Sequence, residues 1–232
     1  MTDERHYLYR DPAWVTSLLK GLIGLLLVGY VAAIVLMGLD YRLVLAVRTG
    51  AVADDLPAAY STIQTYGTML AGLSVLLALT LVAVMIVYLV WVYRSCANVR
   101  ALGATDLRAT PGFAVGMYFI PIYNFFAPLM VMNELYKASR NAINWKLERS
   151  SAIVPAWWAF QLISIIGNFL LQVNNRQHPP GVDGFKMLVA TALIGFAMNI
   201  IFHILQYILV NNVSRLQTEQ HKRNAGHAET FA

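Results

Sequence analysis

Charge is what this sequence has least of. Asp, Glu, Lys and Arg make up 12% of the 232 residues, about half the share that a typical soluble domain carries. Apolar side chains make up 58%, and a soluble domain of this length cannot bury so large an apolar fraction beneath so few charges. The composition therefore excludes a soluble enzyme, a disordered chain and a nucleic-acid-binding domain, and it predicts an integral membrane protein.

Cysteine and catalytic motifs are also scarce. The single cysteine, Cys96, excludes an internal disulfide and a thiol pair for redox chemistry. The chain has no His-Glu-x-x-His motif, no phosphate-binding glycine loop and no paired aspartates within an apolar stretch. We therefore expect no enzyme activity, no metal and no cofactor. The net charge of +5 is interpreted as the basic loops that orient a multi-span protein, with no nucleic-acid partner.

Five apolar stretches are present, and each must be helical because lipid offers the backbone no hydrogen-bond partners. Four of them exceed the length of about 20 residues that crosses a bilayer; these cover residues 15–39, 67–93, 152–173 and 185–210. From Arg215 the chain becomes polar, and we expect this tail to fray. The sequence thus predicts a single membrane domain over residues 1–214 and a polar cytoplasmic tail over residues 215–232.

Local composition marks the ends and faces of these stretches. Trp157 and Trp158, near the start of the fourth stretch, are typical of an aromatic belt at the bilayer interface. Residues 174–181 contain Pro179-Pro180-Gly181 and are expected to form a turn between the last two stretches. The second stretch carries a face of small residues, suited to close packing within the bundle or in a homodimer: Gly67, Ala71, Ser74 and Ala78.

Prolines interrupt the third stretch. Pro111, Pro121 and Pro128 stand at its start, middle and end, and proline removes a backbone donor and pushes the preceding residue out of helical geometry. The pattern predicts two half-helices, 113–120 and 128–139, with lengths of about 12 and 18 Å. Each reaches about halfway through a hydrocarbon core. The segment therefore forms either a re-entrant hairpin or one kinked span.

The distribution of lysine and arginine favours the hairpin. If all five stretches cross, the two sides of the membrane carry 8 and 9 of these residues. If the third stretch enters and returns, the counts become 13 and 4, with only Arg42, Arg48, Arg176 and Lys186 on the poorer side. The positive-inside rule then places both termini in the cytoplasm. We predict an all-α polytopic membrane helix bundle with four spans and a proline-broken re-entrant hairpin, five spans being the alternative.

An ordered pattern runs through the centre of the chain. It consists of Trp91, Arg94, Asn98, Leu102-Gly103, Leu107-Arg108, Pro111-Gly112, Ala114, Gly116, Pro121, Asn124, Pro128, Glu134 and Ser139. This pattern resembles the bacterial membrane family catalogued as domain of unknown function 4328. The resemblance covers residues 91–139 closely and the flanking spans through their apolar character. It implies a multi-pass protein of the bacterial cytoplasmic (inner) membrane and carries no established activity.

Several residues of the pattern have a local structural meaning. Trp91, Arg94 and Asn98 lie at positions i, i+3 and i+7, on one face of a helix. Gly103 is expected to end that helix, and Thr110-Pro111 is expected to begin the next one.

Glu134 is the carboxylate of this pattern. In the re-entrant arrangement it lies on the same side of the membrane as Arg94, Arg100 and Arg108. We expect a carboxylate–guanidinium contact with one of these arginines that holds the hairpin to the second span. The alternative is that Glu134 pairs only with Lys137 or faces water.

Polar side chains form a stripe on each of the last two spans. At helical spacing these are Gln161, Ser164 and Asn168 on the fourth stretch, and Asn199, His203 and Gln206 on the fifth. Polar groups in hydrocarbon need partners, so both stripes should face protein or trapped water. They provide either hydrogen bonds between helices or a hydrophilic pathway, and His203 alone is expected to be a core histidine.

Two functional classes follow from these features. The first is a non-enzymatic interaction or scaffold protein whose basic cytoplasmic face meets anionic lipid headgroups, a membrane protein partner or a second copy of the chain. The second is a small transporter or channel that uses the broken third helix and the polar stripes, although transporters built in this way usually contain inverted repeats. Dry packing around Asn124, Asn168 and His203 favours the first class, and a water-accessible cavity linking them favours the second.

Overall fold

The computed structural model of the protein describes residues 7–52, 55–177 and 182–230. Within these ranges the chain forms helices and no strands. The α-helices are, in chain order, α1 (Ala13–Arg48), α2 (Leu56–Ala101), α3 (Pro111–Gly116), α4 (Ala127–Arg140), α5 (Ile153–Gln177) and α6 (Val182–Thr230).

Four of these helices, α1, α2, α5 and α6, are long and apolar enough to cross a membrane. This confirms the all-α polytopic bundle and the four predicted spans. The helices extend beyond the apolar stretches, so residues 174–177 of the expected turn are helical, and residues 178–181 lie outside the described residues. Helix α6 continues to Thr230, so the prediction that the tail frays from Arg215 is wrong.

The proline-rich segment, residues 111–140, contains only short helices. Helix α3 has six residues, α4 has fourteen, and 3-10 turns at Met117–Phe119 and Tyr123–Phe125 lie between them. Each is shorter than the length of about 20 residues that crosses a bilayer. The five-span alternative therefore has no fifth spanning helix in the described part of the chain.

The bend between the two halves is a tight turn centred on Ile122. This residue has φ of 66° and ψ of −51°, and Tyr123 N donates to the carbonyl of Pro121 at 2.7 Å. These values describe a γ-turn with positive φ, a conformation that is rare and strained for a β-branched side chain. Pro121 and Pro128 thus flank a sharp bend, as the sequence predicts from the break between the two half-helices.

The helix boundaries on either side of residues 102–110 also follow the sequence. Helix α2 ends at Ala101, and Gly103 adopts a positive φ of 102°. The side chain of Thr110 accepts a hydrogen bond from Phe113 N at 3.2 Å, with Pro111 as the first residue of α3. Both predicted boundaries are confirmed.

The chain divides into two compact units. The first comprises Met1–Gly21, Met85–Leu162 and Ile204–Ala232, and the second comprises Leu22–Val84 and Ile163–His203. The first unit therefore contains the whole proline-rich segment, without interruption, from the last part of α2 to the first part of α5.

The first unit has an aromatic core. Trp157 and Trp158 are only 1% and 5% exposed, so the prediction of an interfacial belt at these positions is wrong. Trp157 packs against Tyr88, and Trp158 Nε1 donates to the carbonyl of Phe125 at 3.0 Å. Trp158 therefore holds the proline-rich segment against α5, and Trp157 packs α5 against α2.

Candidate functional site

The centre of the first unit is a buried amide on α6. Gln217 is 0% exposed, and its Nε2 donates to the carbonyl of Ser95 and to Ser139 Oγ, both at 3.1 Å. Its Oε1 accepts from Asn98 Nδ2 at 3.3 Å. A single side chain thus joins α2, α4 and α6, and a fully paired amide in a low-dielectric interior makes the packing specific.

Asn98 extends this arrangement to the N-terminal segment. It is 1% exposed, its Oδ1 accepts from Arg10 N at 3.0 Å, and its Nδ2 donates to the carbonyl of Arg10 at 2.8 Å. These two hydrogen bonds fix the main chain at Arg10 against α2. Asn98 is a residue that the sequence singles out, whereas its partners Arg10 and Gln217 were not predicted.

Ser214 completes the set one turn earlier on α6. Its Oγ accepts from Trp91 Nε1 at 2.9 Å and lies 2.7 Å from Thr16 Oγ1. We call the seven residues the buried polar network: Thr16, Trp91, Ser95, Asn98, Ser139, Ser214 and Gln217. The predicted face of Trp91 and Asn98 therefore packs on α6.

Sequence reasoning missed the part of the network that lies beyond Arg215. The signal was present, because Leu209, Val213, Gln217 and Gln220 are spaced by three or four residues and are all buried. A search for continuous apolar residues ends too early, since the exposed face of α6 becomes charged while the buried face continues. Burial of this face is the physical reason that the tail is helical.

Beside the network is an open cavity of about 680 Å³, within the size range of small-molecule sites. It lies between the N-terminal segment, α2 and α3, and its lining includes Arg10, Arg94 and Asn98. Most of the wall is apolar, with Leu89, Val90 and Val115 among its residues. The wall of the cavity combines two arginine residues with an apolar surface.

Arg94 is held by an aromatic ring. Its guanidinium carbon lies 4.6 Å from the centroid of Trp14, the geometry of a cation–π contact. Across the described residues, Arg94 and Arg10 have no carboxylate within salt-bridge distance. No carboxylate in the described part of the chain therefore competes with a ligand for these two cations.

Glu134 makes the carboxylate–guanidinium contact expected of it. Its Oε1 lies 2.7 Å from Arg108 Nε, and its Oε2 accepts from Arg108 N at 3.1 Å. Arg108 belongs to the loop between α2 and α3, so the contact ties α4 to this loop, not directly to the second span. Arg100 donates instead to the carbonyls of Cys96 and Ala109.

The end of the proline-rich segment exposes apolar side chains. We call residues 119–126 the tip segment. Its exposed large apolar residues are Phe119, Ile120, Ile122, Tyr123, Phe125 and Phe126. Asn124 is half-buried and its Oδ1 has no hydrogen-bond partner, Pro121 is exposed, and Pro128 is buried near the start of α4.

Comparison with known protein families gives a match over residues 54–215 to the domain of unknown function (DUF4328). The chain belongs to the DUF4328 family. The match contains Trp91, Asn98 and Ser139, whereas Arg10 and Gln217 fall outside it. No match was found among the curated proteins or among the solved structures.

Two residues of the polar stripes of this DUF4328 chain bond within their own helices. Asn168 Nδ2 donates to the carbonyl of Ser164 at 2.7 Å, and Asn199 Nδ2 donates to the carbonyl of Gly195 at 2.8 Å. A Cβ added to Gly195 would lie 2.8 Å from Asn168 Oδ1, so α5 and α6 approach closely here. Ser164 is buried in the same unit.

The remaining stripe residues are divided between the two units. His203 is buried in the second unit, where its Nε2 lies 3.5 Å from Tyr30 Oη and the two rings stack. Gln161 is half-buried and Gln206 is buried, and both belong to the first unit. In the described ranges no three His, Cys, Asp or Glu side chains lie close enough to hold a metal ion.

Proposed function

We propose that this DUF4328 protein is a non-enzymatic interaction or scaffold protein of the bacterial cytoplasmic membrane, with both termini in the cytoplasm. The observation that carries the proposal is the division of charge between the units. Of the lysines and arginines in the described ranges, 12 belong to the first unit and 4 to the second. A basic face of this kind attracts anionic lipid headgroups and acidic partners.

Ion pairing leaves part of this basic face free. Four carboxylates of the first unit each pair with a cation, in the pairs Arg108–Glu134, Arg140–Glu148, Lys146–Asp106 and Arg215–Glu219. Arg149, Lys222 and Arg223 are exposed and have no such partner in the described chain. These three residues supply charge that can meet lipid headgroups.

The re-entrant hairpin is part of the same proposal. The proline-rich segment begins and ends in the first unit, which favours entry and return on one side of the membrane. The exposed tip segment supports this arrangement, since Phe119, Ile122 and Phe126 are 64%, 76% and 64% exposed. Exposed apolar side chains of this kind are suited to insertion at the acyl–headgroup boundary.

Cysteine labelling of intact cells tests the topology. Cys96 is buried and is replaced by alanine, and single cysteines are introduced at the exposed positions Thr105, Ser150 and Thr49. An impermeant maleimide should label only Thr49→Cys, because Thr105 and Ser150 flank the hairpin on the cytoplasmic side. Labelling of exactly one of the Thr105 and Ser150 variants would overturn the hairpin in favour of a crossing span.

The transporter alternative is tested by reconstitution. Asn168 and Asn199 satisfy their amide donors within their own helices, and the close approach of α5 and α6 at Gly195 favours packing over a pathway. We expect proteoliposomes to conduct K⁺ and Cl⁻ no faster than protein-free vesicles. Conductance that disappears in the Asn199→Leu variant would overturn the scaffold proposal.

A second copy of the chain is the partner that the second unit favours. Within one chain the small-residue face of α2 is exposed rather than packed in the bundle: Gly67, Ala71, Ser74 and Ala78. Such a face allows close approach of another helix. In vesicles we expect the Ala71→Cys variant to cross-link two copies of the chain. Absence of cross-linking would overturn the proposal that a second copy packs on this face.

A further inference from the structure

We propose that the cavity beside the buried polar network binds one anionic phospholipid. The phosphate lies between Arg10 and Arg94, and an acyl chain follows the apolar wall formed by Leu89, Val90 and Val115. This inference rests on the proposed function, since it assigns a specific lipid site within the basic face.

Charge complementarity is the first argument. Arg10 and Arg94 line the cavity, and none of the described residues that line it is a carboxylate. Asp11, the nearest acid in sequence to Arg10, accepts instead from Ala13 N at 2.9 Å. A guanidinium group presents a planar array of donors that fits phosphate oxygens.

The second argument is that the Arg94 side chain and the Arg10 main chain are both held in place. Trp14 lies under the Arg94 guanidinium, and Asn98 fixes the main chain of Arg10 through two hydrogen bonds. Asn98 is itself buried and bonded to Gln217. Less ordering of the protein is therefore required when a phosphate binds, which favours affinity.

The third argument is that the apolar wall continues along a membrane-spanning helix. Leu89 and Val90 belong to α2, which is apolar enough to span a bilayer, and Val90 and Tyr93 are 39% and 47% exposed at the cavity. An acyl chain leaving the cavity therefore meets further apolar surface. This wall favours a lipid over free phosphate as the source of the phosphate group.

Native mass spectrometry of the delipidated full-length chain tests the site. Phosphatidylglycerol, phosphatidylcholine and inorganic phosphate are added separately. We expect one phosphatidylglycerol per chain, bound more tightly than phosphatidylcholine. Arg10→Gln and Arg94→Gln should each weaken it by about tenfold or more, and Arg94→Lys should recover part of the loss because it keeps the charge over Trp14.

Two further variants separate the contribution of the apolar wall from that of the two arginines and from that of charge elsewhere on the protein. Val115→Trp fills the apolar wall and should weaken phosphatidylglycerol while leaving the guanidinium groups intact. Arg48→Gln, an exposed arginine of the second unit, should leave binding unchanged. The unfolding temperature of each variant without lipid shows that it is folded.

The outcomes distinguish this inference from the proposed function. If neutralising Arg149, Lys222 and Arg223 together abolishes the single bound lipid while Arg94→Gln leaves it, the cavity site is overturned and the basic face stands. If inorganic phosphate binds as tightly as phosphatidylglycerol and Val115→Trp has no effect, the ligand is a soluble phosphate and the lipid proposal is overturned. If phosphatidylcholine binds equally well, the cavity does not select an anionic headgroup and this inference is overturned, while the proposed function stands.

Discussion

The side chain of Asn98 binds both polar groups of the main chain of Arg10, accepting from its N–H at 3.0 Å and donating to its carbonyl at 2.8 Å. The same Nδ2 also donates to Gln217 Oε1. One amide of α2 therefore holds the segment before α1 and the last part of α6.

Replacement of Asn98 by alanine should destabilise the first unit strongly. The change leaves the polar groups of Arg10 and the amide oxygen of Gln217 without these partners, at a cost of about 2–4 kcal/mol. Thermal unfolding in detergent, followed by tryptophan fluorescence, measures the effect. Asn224→Ala, at an exposed position of α6, is the control and should change the unfolding temperature little.

Truncation of α6 tests whether its polar end belongs to the fold. A chain ending at Arg223 keeps Gln217 and Gln220 and should unfold at the temperature of the full chain. A chain ending at Arg215 loses both, leaving Ser139 Oγ and Asn98 without the bonds to Gln217, and should unfold well below it. Equal unfolding temperatures would show that the buried polar network adds no stability.

Two substitutions of Glu134 separate its contacts. Glu134→Gln removes the ion pair but retains an acceptor for Arg108 N, and Arg108 is 66% exposed, so we expect a loss of at most about 1 kcal/mol. Glu134→Leu removes the acceptor as well and should cost about 1–3 kcal/mol. Chemical denaturation of the two variants side by side gives the difference, and equal losses would assign the whole effect to charge.

Glycine at position 122 should raise stability. Ile122 has a positive φ, and glycine adopts this conformation without a steric penalty, so we expect Ile122→Gly to gain about 1 kcal/mol. The matched control is Ile120→Gly, at an ordinary extended conformation with φ of −92°, which should lower stability. A lower unfolding temperature for Ile122→Gly would show that apolar contacts of the side chain outweigh the backbone strain.

The four spans could be predicted because a long apolar stretch has few alternatives to a helix in a bilayer. The boundaries at Gly103 and Thr110 could also be predicted, since each depends on the conformation of one residue. Trp157 and Trp158 were misplaced because tryptophan near the end of an apolar stretch suits either an interface or a packed core. Only the tertiary structure separates the two.

The candidate site was only partly predictable. Arg94, Asn98 and Glu134 carry recognisable local patterns, but their partners lie far away in sequence. Arg10 uses its main chain to bind Asn98, and main-chain contacts leave no trace in residue type. Gln217 lies where the charged face of α6 conceals the continuation of the buried face.

The link from Arg10 through Asn98 to Gln217 also sets an order for biosynthesis. Asn98 on α2 joins a segment that precedes α1 to a residue of the last described helix. Until that part of α6 has left the ribosome, Asn98 has no Gln217 to bond. A chain stalled before Gln217 would therefore expose unpaired amides to the insertion machinery, although its first three spans are already made.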